Sequence, residues 1–342
     1  MALLEARETG LYCTLGDFHI DPALPVERAL ITHAHSDHAR PGSRAYLTAR
    51  PGEALLRARI GDDAEIQTEP YGKSVRIGEV SVSFHPAGHI LGSSQIRIEH
   101  AGEICVVSGD YKLAPDATCA PFEPVRCHTF VTESTFGLPI FRWSDAAQTM
   151  AEIHQWWGAN RQAGRASVLF AYPVGKAQRI LSALDAAAGP LVFHEPVERV
   201  NAIYRAQGIP LPLPTAQTNS QGGNADFSEA LILASPAAQG SRWLRRFGDA
   251  STAFASGWMR IRGPRRRRSL DRGFVLSDHA DWPALLQAID HSGAETVWVT
   301  HGYIAPLVRW LREHGKQAVP VEVVLPADSE APEPLEPEAR PE

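Results

Sequence analysis

One short segment restricts the fold of this chain more than any other feature of its sequence. The segment "ITHAHSDHAR", residues 31–40, overlaps the end of the apolar run "RALIT" and carries four ligand-type side chains, His33, His35, Asp37 and His38. Alternate residues of an extended chain point to the same side, so His33 and His35 can hold one metal ion together. Asp37 and His38 can turn toward a second ion, and imidazole with carboxylate suits zinc. We therefore expect a buried strand that ends at a metal site.

Three further ligand-type residues stand near the ends of apolar strands much later in the chain. His89 lies in the Gly-rich loop of "FHPAGHILGS", Asp110 follows the strand of "CVVSGDYK", and His301 follows the strand of "VWVTHGY". Polar residues often end strands, so any one of them alone would be unremarkable. Loops over a sheet edge commonly carry function, however. Together with the first segment, these residues complete the ligands of a two-metal centre.

The pattern of secondary structure changes near residue 141. Before it, short alternating strands predict hairpins in "VRIGEVSVSFHPAG" and "SQIRIEHAGEICVVSGD", and "GEALLRARIG" predicts a short helix. After it, a helix capped by Ser144 or Asp145 opens an alternation of strands and helices, which indicates a parallel sheet with helical crossovers. The chain has 342 residues, more than one core usually holds, so we expect two domains or a large insertion.

The composition favours a globular protein of the cytoplasm. The start "MALLEARETGLYCTLGDF" lacks the basic and apolar regions of a secretory signal, and no window approaches 18 apolar residues, so we expect no export and no membrane span. The four cysteines are scattered without a CxxC pair. We therefore expect reduced thiols rather than disulfides or a zinc ribbon.

The charge is divided unevenly along the chain. The net charge is −6, and the tail "ADSEAPEPLEPEARPE" at residues 327–342 contributes −5 of it. We expect this Pro- and Glu-rich tail to be disordered. Against the nearly neutral remainder, "MRIRGPRRRRSLDRG" places seven arginines between Arg260 and Arg272. Such a run is typical of a surface for a polyanion, and equally of a solvated arginine-rich loop.

These motifs, in this order, resemble the metallo-β-lactamase superfamily over nearly the whole chain. "FHIDP" matches the early aspartate of that family with Asp21. The resemblance implies an α/β fold, a four-layer αββα sandwich with the site at one edge of its two sheets. It also implies one metal ion on three histidines, a second ion on Asp37 and two histidines, and Asp21 behind the ligands. The implied ligands are His33, His35 and His89 for one ion, Asp37, His38 and His301 for the other, and Asp110 as the bridge.

The long separation of Asp110 and His301 resembles one branch of that superfamily, the β-CASP nucleases. "VTESTFG" and "LSDHADW" match two further motifs of the branch with Glu133 and His279, and "FAYPVGKAQRIL" resembles the start of its inserted domain. "GLYCTLGDFHIDP" and "LSDHADWPALL" look most like the bacterial exonucleases associated with ATP-dependent DNA ligase. The implied organisation is a metallo-β-lactamase domain at 1–140 and 273–326, an inserted β-CASP domain at 141–272 and the tail at 327–342.

The resemblance implies a metal-dependent DNA exonuclease of repair or end processing, with two divalent ions, zinc or manganese, as cofactors. The ions would generate hydroxide for attack on phosphorus. Asp37, Glu133 and His279 would be catalytic, with His279 as the general acid and Glu133 orienting it. The alternative for Glu133 is a surface carboxylate. The alternative for His279 is a helix-cap or packing residue, because "SDHAD" is also typical of a helix N-terminus capped by Ser277 or Asp278.

The expected partner is nucleic acid, single-stranded or end-containing DNA, with a functional link to an ATP-dependent DNA ligase. Phosphate contacts of this kind position a strand without reading its sequence. We expect them from Lys112, Lys176, Arg265, Arg266, Arg267 and Arg268. Three other histidines, His85, His128 and His194, are structural or unassigned, and contact with substrate stays open for His194, which stands at a strand end in "VFHEP".

Three other functions stay open from the sequence alone. An RNA-processing ribonuclease of the same fold shares all the metal chemistry. A thioesterase or lactamase would act on small molecules, although the insertion and the arginine run argue against it. A metal-free scaffold that only binds nucleic acid is disfavoured by the complete ligand set.

Overall fold

The computed structural model describes residues 3–215, 227–261 and 270–321, and its strands form three sheets. The first sheet has six strands in chain order, β1 (Glu5–Arg7), β2 (Gly10–Cys13), β3 (Phe18–Ile20), β4 (Arg28–Ile31), β5 (Ala45–Ala49) and β6 (Ile66–Glu69). The second has, in spatial order, β18 (Gln317–Pro320), β17 (Thr296–Gly302), β11 (Thr129–Ser134), β10 (Glu103–Val107), β9 (Ser94–His100), β8 (Val80–Pro86) and β7 (Val75–Ile77). The third has β13 (Leu191–Phe193), β14 (Leu231–Ala234), β12 (Ser167–Phe170), β15 (Ser251–Ala255) and β16 (Arg272–Phe274).

Helices connect these strands and cover the sheets. In the described ranges the α-helices are α1 (Glu53–Ile60), α2 (Ala146–Gln162), α3 (Lys176–Ser182), α4 (Glu195–Ala206), α5 (Trp282–Ser292) and α6 (Ile304–Glu313). Short 3₁₀ helices occupy Arg50–Gly52, Ala186–Ala188, Pro236–Ala238, Leu244–Phe247 and Gly257–Arg260. Among the described residues, no helix combines the length and the apolar character that crossing a bilayer requires.

The first two sheets pack face to face around one apolar core. Residues from both sheets fill it, namely Leu11, Phe18, Ile20, Leu30, Val82, Phe84, Ile96, Ile98, Val107 and Val131. On the outer face of the second sheet, Phe130 and Val299 pack with Trp282 of α5 and Leu311 of α6. On the outer side of the first sheet, Leu55 of α1 joins a second core. The layers therefore run helix, sheet, sheet, helix, which confirms the predicted αββα sandwich.

The third sheet is inserted in sequence between two neighbouring strands of the second. β11 and β17 pair in parallel, and the chain between them forms α2 and all five strands of the third sheet. Every pairing in that sheet is parallel, as predicted. β16 ends at Phe274, two residues beyond the predicted boundary at 272, and the domain limits stay a prediction. One apolar core contains Leu55 of α1 and Ile153 of α2, so the insertion packs directly on the sandwich.

The hairpins, the helix cap and the cysteines of the structure agree with the sequence. The two predicted hairpins are confirmed as β7–β8 and β9–β10, both antiparallel. The Asp145 side chain accepts a hydrogen bond from the Ala147 amide and caps α2, as predicted. All four cysteines are free thiols, also as predicted. The predicted disordered tail at 327–342 and the arginines Arg265, Arg266, Arg267 and Arg268 lie outside the described residues.

Candidate metal centre and catalytic pair

The parallel strands β3 and β4 end side by side, and Asp21 connects the loops that follow them. Asp21 has a φ of 45°, in the left-handed region that aspartate tolerates better than most residues. Its carboxylate accepts hydrogen bonds from the Thr32 amide and from Nδ1 of His38, both at 2.8 Å. The Thr32 hydroxyl donates to the same carboxylate. Asp21 therefore holds the start of the histidine segment and leaves Nε2 of His38 facing the site.

Three histidine rings converge on one point beside that segment. Nδ1 of His35 lies 3.2 Å from Nε2 of His33 and 3.1 Å from Nε2 of His89. The opposite nitrogen of His89 donates to the carbonyl of Asp278 at 2.9 Å, and that of His35 donates to the carbonyl of Val174 at 3.2 Å. A carbonyl only accepts, so the converging nitrogens of His35 and His89 carry lone pairs. Such fixed tautomers are the usual state of metal-binding histidines.

Asp110 lies between these three rings and the remaining predicted ligands. It follows Gly109, whose φ is 56° and where a Cβ would come within 2.7 Å of the Thr32 side chain, so the close crossing of the two loops requires glycine. Oδ2 of Asp110 lies 3.4 Å from Nε2 of both His33 and His38. Its Oδ1 accepts a hydrogen bond from Nε2 of His301 at 3.1 Å. This is the position that a bridging ligand requires.

The second half of the cluster contains a buried nitrogen that lacks a partner. Nε2 of His38 lies 3.5 Å from a carboxylate oxygen of Asp37 and has no hydrogen-bond partner within the described part of the chain. Buried polar atoms are nearly always satisfied, so an unpaired one facing carboxylates indicates a missing cation. The ligand atoms of His38, Asp110 and His301 lie within 4.8 Å of one another, as do those of the group around His35. The donor set fits two divalent ions.

The protonation of the histidines differs between the two halves. Burial lowers the pKa of His33 to about 4, and burial together with the neighbouring His279 lowers the pKa of His89 well below its usual value. Burial also acts to lower the pKa of His38, but the carboxylates of Asp110 and Asp37 outweigh it and raise that pKa well above the usual value. Binding of a metal ion by His38 requires its neutral form, because a protonated ring nitrogen has no lone pair to give.

A buried acid–base pair adjoins the cluster. Oε2 of Glu133, on β11, accepts a hydrogen bond from Nδ1 of His279 at 2.9 Å, and its Oε1 accepts one from the Tyr111 amide at 2.9 Å. The His279 ring centroid lies 4.6 Å from that of His89. Glu133 is only 1% exposed, so the alternative of a surface carboxylate is wrong. Burial acts to lower the pKa of His279, but the carboxylates of Glu133 and Asp110 raise it well above its usual value.

His279 lies before a helix rather than in one. α5 begins at Trp282, and its cap is Asp281, whose side chain accepts from the Ala284 amide. The alternative that Ser277 or Asp278 caps a helix containing His279 is therefore wrong. Trp143 holds the segment in place, because its indole N–H donates to the carbonyl of His279 at 2.9 Å.

Both lysines predicted to contact substrate are buried behind this segment. Nζ of Lys176 lies 3.2 Å from Oδ1 of Asp278, and both side chains are fully buried. Nζ of Lys112 donates to the carbonyl of Ser277 at 2.6 Å. In the structure both ammonium groups hold the residues just before His279. Their contact with a substrate stays a prediction.

Sequence reasoning missed three residues that position the site. Asp278 was visible in "SDHAD", directly before His279, but its partner Lys176 lies about a hundred residues earlier and nothing local connects them. Trp143 stands alone in the sequence between polar residues. Val174 supports His35 through its backbone carbonyl, which no sequence pattern shows.

Known proteins resemble this chain over different lengths. No family model matches it. A curated protein of Opitutus terrae named "Probable DNA ligase" is 29% identical over 311 residues, which cover 90% of this chain and 30% of that protein. A ribonuclease of Thermus thermophilus is 29% identical over 147 residues, 35% of this chain and 34% of the relative. The cleavage and polyadenylation specificity factor subunit 3 of Dictyostelium discoideum is 26% identical over 219 residues, 53% of this chain and 28% of the relative.

This chain spans about a third of the length of these curated relatives. Among solved structures, the crystal structure of a protein of unknown function from Enterococcus faecalis has a TM-score of 0.57 and 13% identity, covering 80% of this chain and 74% of that one, and it supports the fold alone. The sandwich, the insertion between β11 and β17, the histidine–aspartate cluster and these relatives agree. The chain fits the β-CASP branch of the metallo-β-lactamase superfamily.

Proposed function

We propose that this protein is a metal-dependent nuclease that hydrolyses phosphodiester bonds in DNA, acting as an exonuclease in repair or end processing. The observation that carries the proposal is the contact between the Glu133–His279 pair and the metal cluster, where the His279 ring lies 4.6 Å from that of His89. Phosphodiester hydrolysis needs a nucleophile on one side of phosphorus and a proton for the leaving alkoxide on the other. The cluster and the pair can supply these two needs from adjoining positions.

The residues present would hold two ions in the arrangement described above. His33, His35 and His89 would hold one ion, and Asp37, His38 and His301 would hold the other, with Asp110 reaching both groups of ligands. Zinc suits this mixture of imidazole and carboxylate, and manganese is also compatible with it. When bound, the ions supply a hydroxide nucleophile and neutralise negative charge on the phosphate.

The protein's own contribution to the chemistry is the placement of one proton. His279 gives Nδ1 to Glu133, so Nε2 is the atom that donates to the leaving oxygen. Glu133 fixes this tautomer and stabilises the charged ring, and the Tyr111 amide fixes Glu133. A positioned general acid contributes about 10²- to 10⁴-fold to the rate.

DNA is favoured as the substrate by the relative that covers 90% of this chain and is named a probable DNA ligase. That relative also supports a functional link to ligation, because an exonuclease prepares the ends that a ligase joins. RNA is the second candidate. The ribonuclease and the cleavage and polyadenylation factor, which match shorter parts of the chain, favour it.

Digestion of end-labelled strands tests this proposal. DNA and RNA of one sequence, labelled separately at each end, are incubated with wild type, His35→Ala and His85→Ala, with zinc or with manganese. His85 is a suitable control because it pairs with Glu123 outside the cluster. We expect metal-dependent loss of DNA label from one end, retained in His85→Ala and absent in His35→Ala. Cleavage of RNA alone would support the second candidate, and cleavage of neither strand by metal-loaded protein would contradict both.

A further inference from the structure

A buried salt bridge joins α3 of the insertion to a loop of the sandwich. Nε of Arg179, on α3, lies 2.5 Å from Oδ2 of Asp116, in the loop between β10 and β11. The two side chains are only 9% and 2% exposed. A buried pair of opposite charges often stabilises a fold no better than well-packed apolar side chains of similar volume. Its other contacts therefore indicate what this pair does.

Both partners of the salt bridge are fixed by their own surroundings. Oδ1 of Asp116 accepts hydrogen bonds from the amide and the hydroxyl of Thr118, both at 2.7 Å, so Oδ2 is the oxygen that faces Arg179. α3 follows Gly175, whose φ is 86° and where a Cβ would come within 2.3 Å of the Ile90 side chain. The close approach of α3 to the sandwich therefore requires glycine at this position.

The same guanidinium reaches the segment that carries His279. Nη1 of Arg179 donates to the carbonyl of Ser277 at 3.2 Å. The Ser277 hydroxyl in turn accepts a hydrogen bond from the His279 amide at 3.1 Å. Ser277 is buried, so solvent does not compete for these contacts. Arg179 therefore acts on His279 through one intervening residue.

Arginine is suited to this double contact. Its donors are held in a rigid, planar fork, so Nε can face Asp116 while Nη1 faces the Ser277 carbonyl. A lysine ammonium is a compact charge on a flexible stem and would not fix the angle between the two partners. Lys112 of the sandwich also donates to the Ser277 carbonyl, at 2.6 Å. Of these two cations, Arg179 is the one that belongs to the insertion.

We propose that Arg179 is a positioning residue for His279. By binding Asp116 and the Ser277 carbonyl together, it fixes the backbone from which the His279 ring reaches Glu133. The inference rests on the proposed function, in which His279 protonates the leaving oxygen, and it gives the insertion a part in placing that proton. A misplacement of about 1 Å in such a group can cost about 10²-fold in rate.

Proton NMR of the metal-free protein tests the position of His279 without any reaction. An imidazole N–H that donates to a buried carboxylate gives a resonance downfield of the backbone amides, and the resonance that His279→Gln removes identifies the hydrogen bond to Glu133. The test variant is Arg179→Met, and the control is Arg205→Met. Arg205 also pairs with a carboxylate, that of Glu198, and donates to a backbone carbonyl, that of Pro212, but neither partner belongs to the site.

We expect the His279 resonance to shift or disappear in Arg179→Met and to stay unchanged in Arg205→Met. The first substitution leaves the carboxylate of Asp116 buried without its cation, which can prevent folding. If it does, the double variant Arg179→Met with Asp116→Asn takes its place, because it leaves no uncompensated charge. An unchanged resonance in the folded Arg179 variant would overturn the inference, and so would an equal change in Arg205→Met.

The leaving group distinguishes a displaced acid from a damaged protein. DNA releases an alkoxide, which needs a proton, whereas bis(p-nitrophenyl) phosphate releases p-nitrophenolate, which leaves without one. We expect kcat for DNA to fall about 10²-fold in the Arg179 variant, with the KM and the metal content of wild type. The kcat for bis(p-nitrophenyl) phosphate should change far less. Equal losses on both substrates, when His279→Gln loses only the cleavage of DNA, would show a merely structural role and overturn the inference.

The two measurements separate failure of this inference from failure of the proposed function. If wild type cleaves neither substrate, or if His279→Gln loses both equally, the proposed function or its general acid is wrong. The NMR comparison then still decides whether Arg179 positions His279. If wild type cleaves DNA and the Arg179 variant keeps both its kcat and the His279 resonance, only the present inference is wrong.

Discussion

The carboxylate of Glu133 accepts a hydrogen bond from Nδ1 of His279 at 2.9 Å across a separation of 146 residues. Glu133 belongs to β11, the last strand before the insertion, and His279 lies just after β16, the last strand of the third sheet. The pair therefore forms only when the chain has completed the inserted sheet and returned to the sandwich. The proposed catalytic role of the pair therefore requires correct docking of the insertion.

Glu133→Gln keeps the size of the side chain and removes its charge. We expect kcat for DNA to fall about 10²-fold or more, because His279 loses the carboxylate that stabilises its charged form. Metal content should stay that of wild type, since Glu133 is not among the predicted ligands. Single-turnover cleavage and metal analysis of the same preparation check both parts.

The matched control for that variant is Glu123→Gln. Glu123 pairs with Nδ1 of His85 at the same 2.9 Å distance, but outside the cluster. The Glu123→Gln variant should therefore keep the wild-type kcat. Equal effects of the two substitutions would argue that Glu133 has no special role in the reaction.

Asp21→Asn tests how His38 is oriented. The substitution weakens the acceptor for Nδ1 of His38, and we expect the affinity for the second divalent ion to fall about 10- to 100-fold. Binding of the first ion, on the His33 side, should change much less. A calorimetric titration of the metal-free protein with a divalent ion measures the affinities of both binding steps. Asp17→Asn is the control, because Asp17 also has a positive φ but lies on the surface, and a similar loss in that variant would contradict the role of Asp21.

Lys176→Met leaves Asp278 buried without the ion pair seen at 3.2 Å. Removing one partner of a fully buried pair costs about 3–5 kcal/mol of unfolding free energy, because the remaining charge stays uncompensated. Urea unfolding monitored by fluorescence should show this loss, and a second substitution, Asp278→Leu, should recover part of it. Arg309→Met, which breaks an exposed pair with Glu313, should leave the unfolding midpoint unchanged. A Lys176→Met protein as stable as wild type would show that the pair is not needed.

The thiols predict how stability depends on pH. Burial, helped by Asp116, raises the pKa of Cys119 to about 12, and burial raises the pKa of Cys127 to about 11, from 9.0 in both cases. As pH rises above 9, thiols of the unfolded chain lose protons first, so the unfolding free energy should fall. The fall is at most about 1.4 kcal/mol per pH unit for each thiol.

Urea unfolding at pH 8, 9 and 10 measures that slope. Cys127→Ala should flatten it, because the alanine cannot ionise in either state. A slope that is the same in wild type and Cys127→Ala, or rapid reaction of Cys127 with a thiol reagent at pH 8 in the folded protein, would contradict the buried, protonated state of Cys127.

The candidate metal ligands could be picked out from the sequence because each stands at or near the end of a strand. A short motif fixes His33, His35, Asp37 and His38 relative to one another, and parallel strands carry their ends to the same edge of a sheet. The structure brings the three histidines of this motif together with His89, Asp110 and His301, and a carboxylate oxygen of Asp37 lies 3.5 Å from Nε2 of His38. The alternation of strands and helices likewise predicted the parallel third sheet, since the crossover between parallel strands is usually an α-helix.

The supporting contacts could not be predicted, because they depend on burial. Lys112 and Lys176 look like surface charges in the sequence, and only packing against residues 277 and 278 removes them from solvent. "SDHAD" contains several residues able to cap a helix, and local preference does not choose among them. In the structure the helix begins only at Trp282, so His279 lies before it, where its ring donates a hydrogen bond to Glu133.

The most direct test of the central claim is a titration of metal-free protein with zinc or manganese, in which bound ions and cleavage of labelled DNA are measured together. The account predicts two ions per chain, with cleavage rising as the second binds, and both effects lost or reduced in His35→Ala. Two bound ions with neither DNA nor RNA cleaved would contradict it, as would cleavage that persists in the metal-free protein.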